Sequence, residues 1–190
     1  MTLDNLKRSL EKSLIIKKGK YRYMVHPLTD GIPYIEPDLL REVTDEMRSY
    51  IKSFLPCDRI LTIEAMGIPL ASALSLDLNI PFVIVRKRPY YFSDEVEIHQ
   101  KTGYSEAKLF VNGLKKEDKI IIVDDIISTG ETLKSIISAL KEKKVDIKGI
   151  VILFDKGDAV KDIEDEFHVK VVTLLKIDVE DDLVKIKNVS

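Results

Sequence analysis

Most of the residues in this chain that could do chemistry lie in one segment. It runs from Lys119 to Leu133, KIIIVDDIISTGETL, and joins an apolar run to an amphipathic stretch through two adjacent carboxylates and a polar turn. The apolar run predicts a buried strand with Asp124 and Asp125 at its carboxyl end. The turn predicts the start of a helix, where free backbone amides and hydroxyl groups suit a phosphate.

Taken together, the turn and the carboxylates suit a phosphorylated sugar. Gly130 lets a ligand approach the backbone closely, whereas Asp124 and Asp125 repel a phosphate and should face sugar hydroxyls or a divalent cation beside it. A ribose 5-phosphate meets this description. In the alternative reading, the acidic pair only ends a strand and a hydroxyl only caps a helix. The residues of the turn are Ser128, Thr129, Gly130, Glu131 and Thr132.

The surrounding pattern indicates the elements that must position this segment. Continuous apolar runs at 59–63, 81–86, 119–123, 149–154 and 169–175 predict strands buried on both faces. Helical patterns lie between them at 67–78 and around 133–140. This alternation predicts an α/β fold with a mostly parallel sheet flanked by helices, and a ligand crevice at the carboxyl ends of the strands.

Two other regions frame this core. Leu3, Leu6, Leu10 and Leu14 predict one amphipathic helix ending before Gly19, and a second helix is expected from Asp38. Prolines and a glycine predict an irregular covering segment over 21–37. Residues 87–106 are long, polar and aromatic, which favours a lid or binding loop. Alternatively, EVEIH at 95–99 pairs with AKLFV at 107–111 as an exposed β-arm or dimer contact.

Composition excludes several classes of protein. A chain of 190 residues predicts a single domain over 1–190, and 30 basic against 32 acidic residues argue against general binding to nucleic acid. One cysteine excludes a disulfide framework and a cysteine-based zinc cluster, which predicts a cytoplasmic protein. No apolar run approaches the ~20 residues that span a bilayer, so no membrane partner is expected. His26 and His99 lack metal-ligand spacing.

The segment around Asp124 and Asp125 resembles the phosphoribosyl pyrophosphate signature of type I phosphoribosyltransferases, and the resemblance extends over most of the chain. TIEAMGIPLASAL at 62–74 is similar to the strand and pyrophosphate loop of that family, and VRKR at 85–88 to its basic pair. The archaeal-type hypoxanthine/guanine subgroup, which is similar to adenine phosphoribosyltransferases, is the nearest match. It is indicated by VHPLTDGIP at 25–33, EAMGIP at 64–69, RKR at 86–88 and EVEIHQKTGYS at 95–105.

The resemblance implies a fold and a set of roles. The type I fold places a core at about 38–154, a small hood formed by N- and C-terminal segments at about 20–37 and 155–190, and a flexible lid at 87–106. Asp124 and Asp125 would be the catalytic pair, and residues 128–132 would bind the 5-phosphate. The pyrophosphate loop of the family often contains a cis peptide that does not precede proline. The residues implied for pyrophosphate are Glu64, Ala65, Met66, Gly67, Arg86 and Lys87.

The resemblance implies fewer residues for binding the purine than for binding the phosphates. Tyr104 falls in the lid, near the place where adenine enzymes of the family carry a Glu-Tyr pair, but Gly103 precedes it here. Ser128 stands where other family members carry an aspartate, so no general acid or base is assigned; Glu131 and Glu106 are candidates. Lys156 is placed to donate a hydrogen bond to a 6-oxo group. In the alternative reading, it is an ordinary surface lysine.

The implied reaction transfers the 5-phosphoribosyl group of phosphoribosyl pyrophosphate to a 6-oxopurine, hypoxanthine or guanine, in purine salvage. The implied cofactor is Mg²⁺ held mainly by the substrate, with no direct protein ligand, and the implied assembly is a homodimer. One alternative is the same chemistry on adenine, xanthine or orotate. Another is a regulator that senses phosphoribosyl pyrophosphate and binds nucleic acid, although about 55 residues before the first core strand are too few for both a hood and a winged-helix module.

Overall fold

The computed structural model describes residues 3–19, 21–102, 105–180 and 182–187. The part of the chain before Arg59 contains helices and one hairpin. From Arg59 onward, strands and helices mostly alternate. In chain order the elements are α1 (Asp4–Glu11), β1 (Leu14–Lys18), β2 (Tyr21–Val25), α2 (Pro27–Asp30), α3 (Pro37–Ile51), a 3-10 turn (Lys52–Phe54), β3 (Arg59–Ile63), α4 (Gly67–Leu78), β4 (Phe82–Val85), β5 (Val96–Thr102), β6 (Ser105–Val111), β7 (Lys119–Ile127), α5 (Glu131–Glu142), β8 (Asp146–Asp155), α6 (Ala159–Phe167), β9 (Val171–Glu180) and β10 (Leu183–Lys187).

A six-stranded sheet forms the centre of the molecule, in the order β10-β9-β8-β7-β3-β4. All neighbouring strands are parallel except β10, which runs antiparallel to β9. The continuous apolar runs explain this arrangement, since Ile120, Ile121, Ile122 and Val123 of β7 are all fully buried. The predicted α/β fold with a mostly parallel sheet is therefore confirmed.

Helices cover both faces of the sheet. One face packs against α5, α6 and the β5–β6 hairpin, and the other packs against α1, α3 and α4. Each helix turns an apolar stripe inward, as Leu133, Ile136, Ile137 and Leu140 of α5 illustrate. Among the described residues, no helix is long and apolar enough to cross a membrane.

The N-terminal region differs from its prediction. The first helix ends at Glu11, and Leu14, assigned to that helix, opens β1 and is 65% exposed. The supposedly irregular segment begins with β2, which pairs antiparallel with β1 in the register Leu14↔Val25. The spacing of Leu14 fits a helix, but the run LIIKK is rich in β-branched residues and finds a partner in YRYMV. The prolines all lie beyond this second strand.

Much of the predicted lid is also regular. β5 and β6 form an antiparallel hairpin with Val96 opposite Val111, so the alternative pairing of EVEIH with AKLFV is confirmed. The hairpin is not merely an exposed arm, because Ile98, Leu109 and Val111 are buried in the core. Among the described residues of 87–106, only 87–95 are irregular. Tyr104, assigned to the lid, lies outside the described residues.

Candidate active site

A cavity of about 300 Å³ opens at the carboxyl end of β7. This is where an open parallel sheet offers a ligand crevice between the loops that follow its strands. Its wall combines the acidic pair, the whole predicted phosphate loop, Lys156 and three residues near the N-terminus. The wall includes Asp124, Asp125, Ser128, Thr129, Gly130, Glu131, Thr132 and Lys156, with Tyr23, Met24 and Thr29.

Asp124 and Asp125 lie in the carboxyl-terminal half of β7, which extends beyond the apolar run at 119–123 and continues to Ile127. Asp125 is buried at 9% exposure and Asp124 is half-buried. Burial raises the pKa of both carboxyls above the ordinary value for aspartate, and the nearby charge of Asp125 adds to the rise at Asp124. Hydroxyl donors or a cation arriving in the cavity would stabilise the charged forms.

The predicted phosphate loop joins β7 to α5. Gly130 adopts φ +75°, and a Cβ built on it would stand 2.8 Å from the Cβ of Ala159. A glycine is needed here both for the left-handed backbone and for the close approach of α6. Thr132 lies in the first turn of α5, and its Oγ1 accepts a hydrogen bond from Nε2 of Gln100 on β5 at 2.5 Å. The hairpin is therefore attached to the loop.

The turn between β8 and α6 supports the phosphate loop from behind. The Lys156 N–H donates to the Ile127 carbonyl at 2.8 Å, and the Gly157 N–H donates to Oδ1 of Asp155 at 3.0 Å. A Cβ on Gly157 would stand 2.5 Å from the Ser128 carbonyl oxygen. Asp155 is buried, which raises the pKa of its carboxyl. Nothing in the sequence pattern marked Asp155 as part of the site.

Lys156 spans the cavity toward the N-terminal hairpin. Its Nζ donates to the backbone carbonyl of Arg22 on β2 at 3.2 Å. The same wall contains Tyr23, Met24 and Thr29, which sequence analysis did not select as site residues. All three fall within the hood predicted at about 20–37, in a segment that was predicted to be irregular; Tyr23 and Met24 lie on β2 and Thr29 on α2.

The predicted pyrophosphate residues lie beside this cavity and do not line it. The peptide between Glu64 and Ala65 is cis, as the family resemblance implied, and Oε1 of Glu64 accepts the Lys87 N–H at 2.7 Å. Gly67 is the first residue of α4 and lies close to the acidic pair, since a Cβ built on Gly67 would stand 2.7 Å from Oδ1 of Asp124. Arg86 forms a backbone bridge to Phe110. The loop with Ala65 and Met66 thus adjoins Asp124, with the basic pair next to it.

Comparison with known proteins agrees with this geometry. A family model described as phosphoribosyl transferase domain matches residues 35–184. The protein named hypoxanthine/guanine phosphoribosyltransferase in Methanothermus fervidus is 50% identical over 186 residues, covering 98% of each chain. Its namesake in Methanothermobacter thermautotrophicus is 46% identical, covering 98% of this chain and 96% of the relative.

Solved structures agree on the fold. Adenine phosphoribosyltransferase from Leishmania tarentolae superposes with a TM-score of 0.76 at 17% identity, covering 96% of this chain and 89% of that one. The enzyme of the same name from Rhodothermus marinus gives 0.73 at 20% identity, covering 92% and 97%. Fold, family model and near full-length relatives thus coincide, and the chain belongs to the type I phosphoribosyltransferases.

Proposed function

We propose that the chain is a purine salvage enzyme that transfers the 5-phosphoribosyl group of phosphoribosyl pyrophosphate to hypoxanthine or guanine, giving IMP or GMP and pyrophosphate. The observation that supports this most directly is that Asp124 and Asp125, the 128–132 loop and Lys156 all line one cavity. The printed names of relatives at 45–50% identity support the choice of purine.

The roles of the cavity residues follow from the charges of the substrate. The 5-phosphate sits on the 128–132 loop, where the amides at the start of α5 favour an anion. Asp124 and Asp125 accept hydrogen bonds from the ribose hydroxyls. As the bond from C1 to pyrophosphate breaks, positive charge grows on the ribose ring, and the two carboxylates stabilise it. The purine nitrogen then bonds to C1, so no covalent protein nucleophile is needed.

Pyrophosphate leaves with the electron pair of the broken bond and carries several negative charges. The Glu64–Gly67 loop would hold it with Arg86 and Lys87, which stand at the end of β4. Among the described residues no three metal-ligating side chains converge, and the carboxyls that line the cavity are those of Asp124, Asp125 and Glu131. This fits an Mg²⁺ held mainly by the oxygens of the substrate. When bound, the ion neutralises part of the pyrophosphate charge.

The purine would lie between the acidic pair and a hood at about 20–37 and 155–190. A lysine ammonium donates hydrogen bonds and accepts none, so Lys156 favours a 6-oxo group over the 6-amino group of adenine. Glu131 lines the cavity and remains a candidate acid, whereas the side chain of Glu106 lies outside the described ones. The β5–β6 hairpin would restrict water from the reacting centre.

A homodimer is part of the proposal. Leu76 and Tyr91, which precede and follow β4 in the chain, are 86% and 87% exposed. Large apolar side chains with this exposure suit burial against a second copy. Sedimentation analysis should give twice the chain mass, and a monomer at assay concentration would contradict this.

A cytoplasmic location stays the prediction made from the single cysteine.

Pyrophosphate release with phosphoribosyl pyrophosphate and Mg²⁺ tests the function, with hypoxanthine, guanine, xanthine, adenine and orotate assayed separately. Preference for hypoxanthine or guanine is expected. Activity with adenine alone would preserve the mechanism and refute the proposed purine. No turnover with any base, despite measurable donor binding, would favour a regulator.

A further inference from the structure

The hydroxyl of Thr62 is an unusual polar group in this fold. Thr62 is fully buried near the end of β3, and its Oγ1 has no hydrogen-bond partner among the residues that the structure describes. His26 and Asp155, which are also buried, both have partners. A buried hydroxyl without a hydrogen-bond partner lowers the free energy of unfolding, so a functional reason for this hydroxyl is expected.

The position of this hydroxyl connects it to the acidic pair. Thr62 is the register partner of Val123, the residue before Asp124. A Cβ on Gly67 would stand 2.2 Å from Oγ1 of Thr62 and 2.7 Å from Oδ1 of Asp124. The hydroxyl and the carboxyl therefore flank the same glycine, and the missing side chain leaves the space between them open.

The reaction provides a hydrogen-bond acceptor for the Thr62 hydroxyl, namely the charged carboxylate of Asp124. Without substrate, burial and the neighbouring Asp125 disfavour the charged form of Asp124. Ribose hydroxyls and the magnesium-bound substrate favour the charged carboxylate, which then needs further hydrogen-bond donors. Threonine suits this role because its branched Cβ restricts the side-chain torsion and hence the direction of the hydroxyl.

We propose that Thr62 is a positioning residue, whose hydroxyl donates a hydrogen bond to the Asp124 carboxylate in the substrate complex and so fixes the oxygen that holds the ribose. This inference rests on the proposed function, because it needs a ribose in the cavity. A positioning role differs from a purely structural one in its expected effect: loss of the hydroxyl should lower the rate of the reaction and should not lower the stability of the fold.

Thr62→Val tests this difference, since it removes the hydroxyl and keeps the shape. A hydrogen bond to a charged group accounts for about a 10- to 100-fold change, so kcat should fall by that factor while KM for the purine stays as in the wild type. The melting temperature should stay or rise by about 2–4 °C, because an unsatisfied group is gone. Thr62→Ser should recover most of the lost kcat.

The pair Thr62→Ser and Thr62→Ala keeps the test decisive if Thr62→Val does not fold, because these two variants differ only in the hydroxyl. The alanine variant should turn over at least 10-fold more slowly than the serine variant and bind phosphoribosyl pyrophosphate more weakly. Equal kcat for both, or equal losses of kcat and melting temperature in both, would overturn the positioning role.

Failure of the proposed function would look different. If the wild type turns over and the hydroxyl-free variants match it, the role of Thr62 is wrong and the function stands. If the wild type turns over no base, the function is wrong. In that case, calorimetric Kd values for magnesium-phosphoribosyl pyrophosphate decide on Thr62: a weaker Kd for the alanine variant supports the contact, and equal values for the serine and alanine variants overturn it.

Discussion

Acidification should destabilise the protein through one buried side chain, His26. Its ring is fully buried and lies nearly perpendicular to the ring of Phe154, at a centroid distance of 5.3 Å. Nδ1 accepts the Leu28 N–H at 3.1 Å, and Nε2 lies 2.8 Å from Oγ of Ser9. These contacts suit a neutral ring. Burial lowers the pKa of His26 from 6.5 to about 4, against a smaller opposing effect of Asp30.

The direction and size of the effect follow from this pKa. Because the pKa is lower in the folded state, the unfolded chain takes up the proton first as the pH falls. The stabilisation is complete above pH 6.5 and is lost progressively between pH 6.5 and about 4. At about 1.4 kcal/mol per pH unit, the full loss is about 3 kcal/mol in the free energy of unfolding.

Urea unfolding of the wild type and His26→Asn between pH 7.5 and 4 measures this loss. Asparagine can still cap the N-terminus of α2 but does not titrate. The stability difference between the two proteins should therefore shrink by about 3 kcal/mol across this range, while effects of the carboxyls cancel. His168→Asn is the matched control, because His168 is exposed and its left-handed C-cap position accepts asparagine. A constant difference between wild type and His26→Asn would refute the reasoning.

Three further predictions concern the site. Asp125→Asn should lower kcat about 100-fold or more without lowering the melting temperature, because burial already disfavours the charge; turnover at the wild-type rate would refute the assignment. Lys156→Ala should reduce the preference for hypoxanthine over adenine in kcat/KM about 10-fold or more, and an unchanged ratio would exclude the base contact. Gly130→Ala and Gly19→Ala both place alanine at positive φ, but only Gly130 meets a neighbouring Cβ. In urea unfolding Gly19→Ala should cost about 1 kcal/mol, and Gly130→Ala about 2–4 kcal/mol with a raised KM for the donor; equal effects would contradict the packing argument.

The central sheet was predictable because its signal is local and strong. Runs such as RILTI at 59–63 are apolar throughout, and the structure places β3 over the same residues. The helix expected at 67–78 has the bounds Gly67–Leu78. The acidic pair and the 128–132 loop were found for a similar reason, since consecutive residues of unusual chemistry stay together in any fold.

Features that depend on contacts between distant segments were missed or misread. Leu14 has helical spacing from Leu10, but the pairing of β1 with β2 decides its conformation. Thr62 and Asp155 are common residue types in common positions, and only their burial reveals them. No sequence pattern shows whether a buried hydroxyl has a partner, because the partner lies on another element.

The N-terminal hairpin, which contributes Tyr23 and Met24 to the cavity wall, is paired with a residue between β9 and β10. Lys17 and Arg22 of the N-terminal hairpin pair with Asp182 at 2.7 and 2.8 Å, the latter pair separated by 160 residues of sequence. During synthesis the acidic pair and the phosphate loop leave the ribosome long before Asp182 does. Because a domain generally folds as a unit, the hairpin can gain these ion pairs only after β9 has been synthesised. The cavity wall to which the hairpin contributes is therefore held in place by a residue that emerges well after the acidic pair and the 128–132 loop.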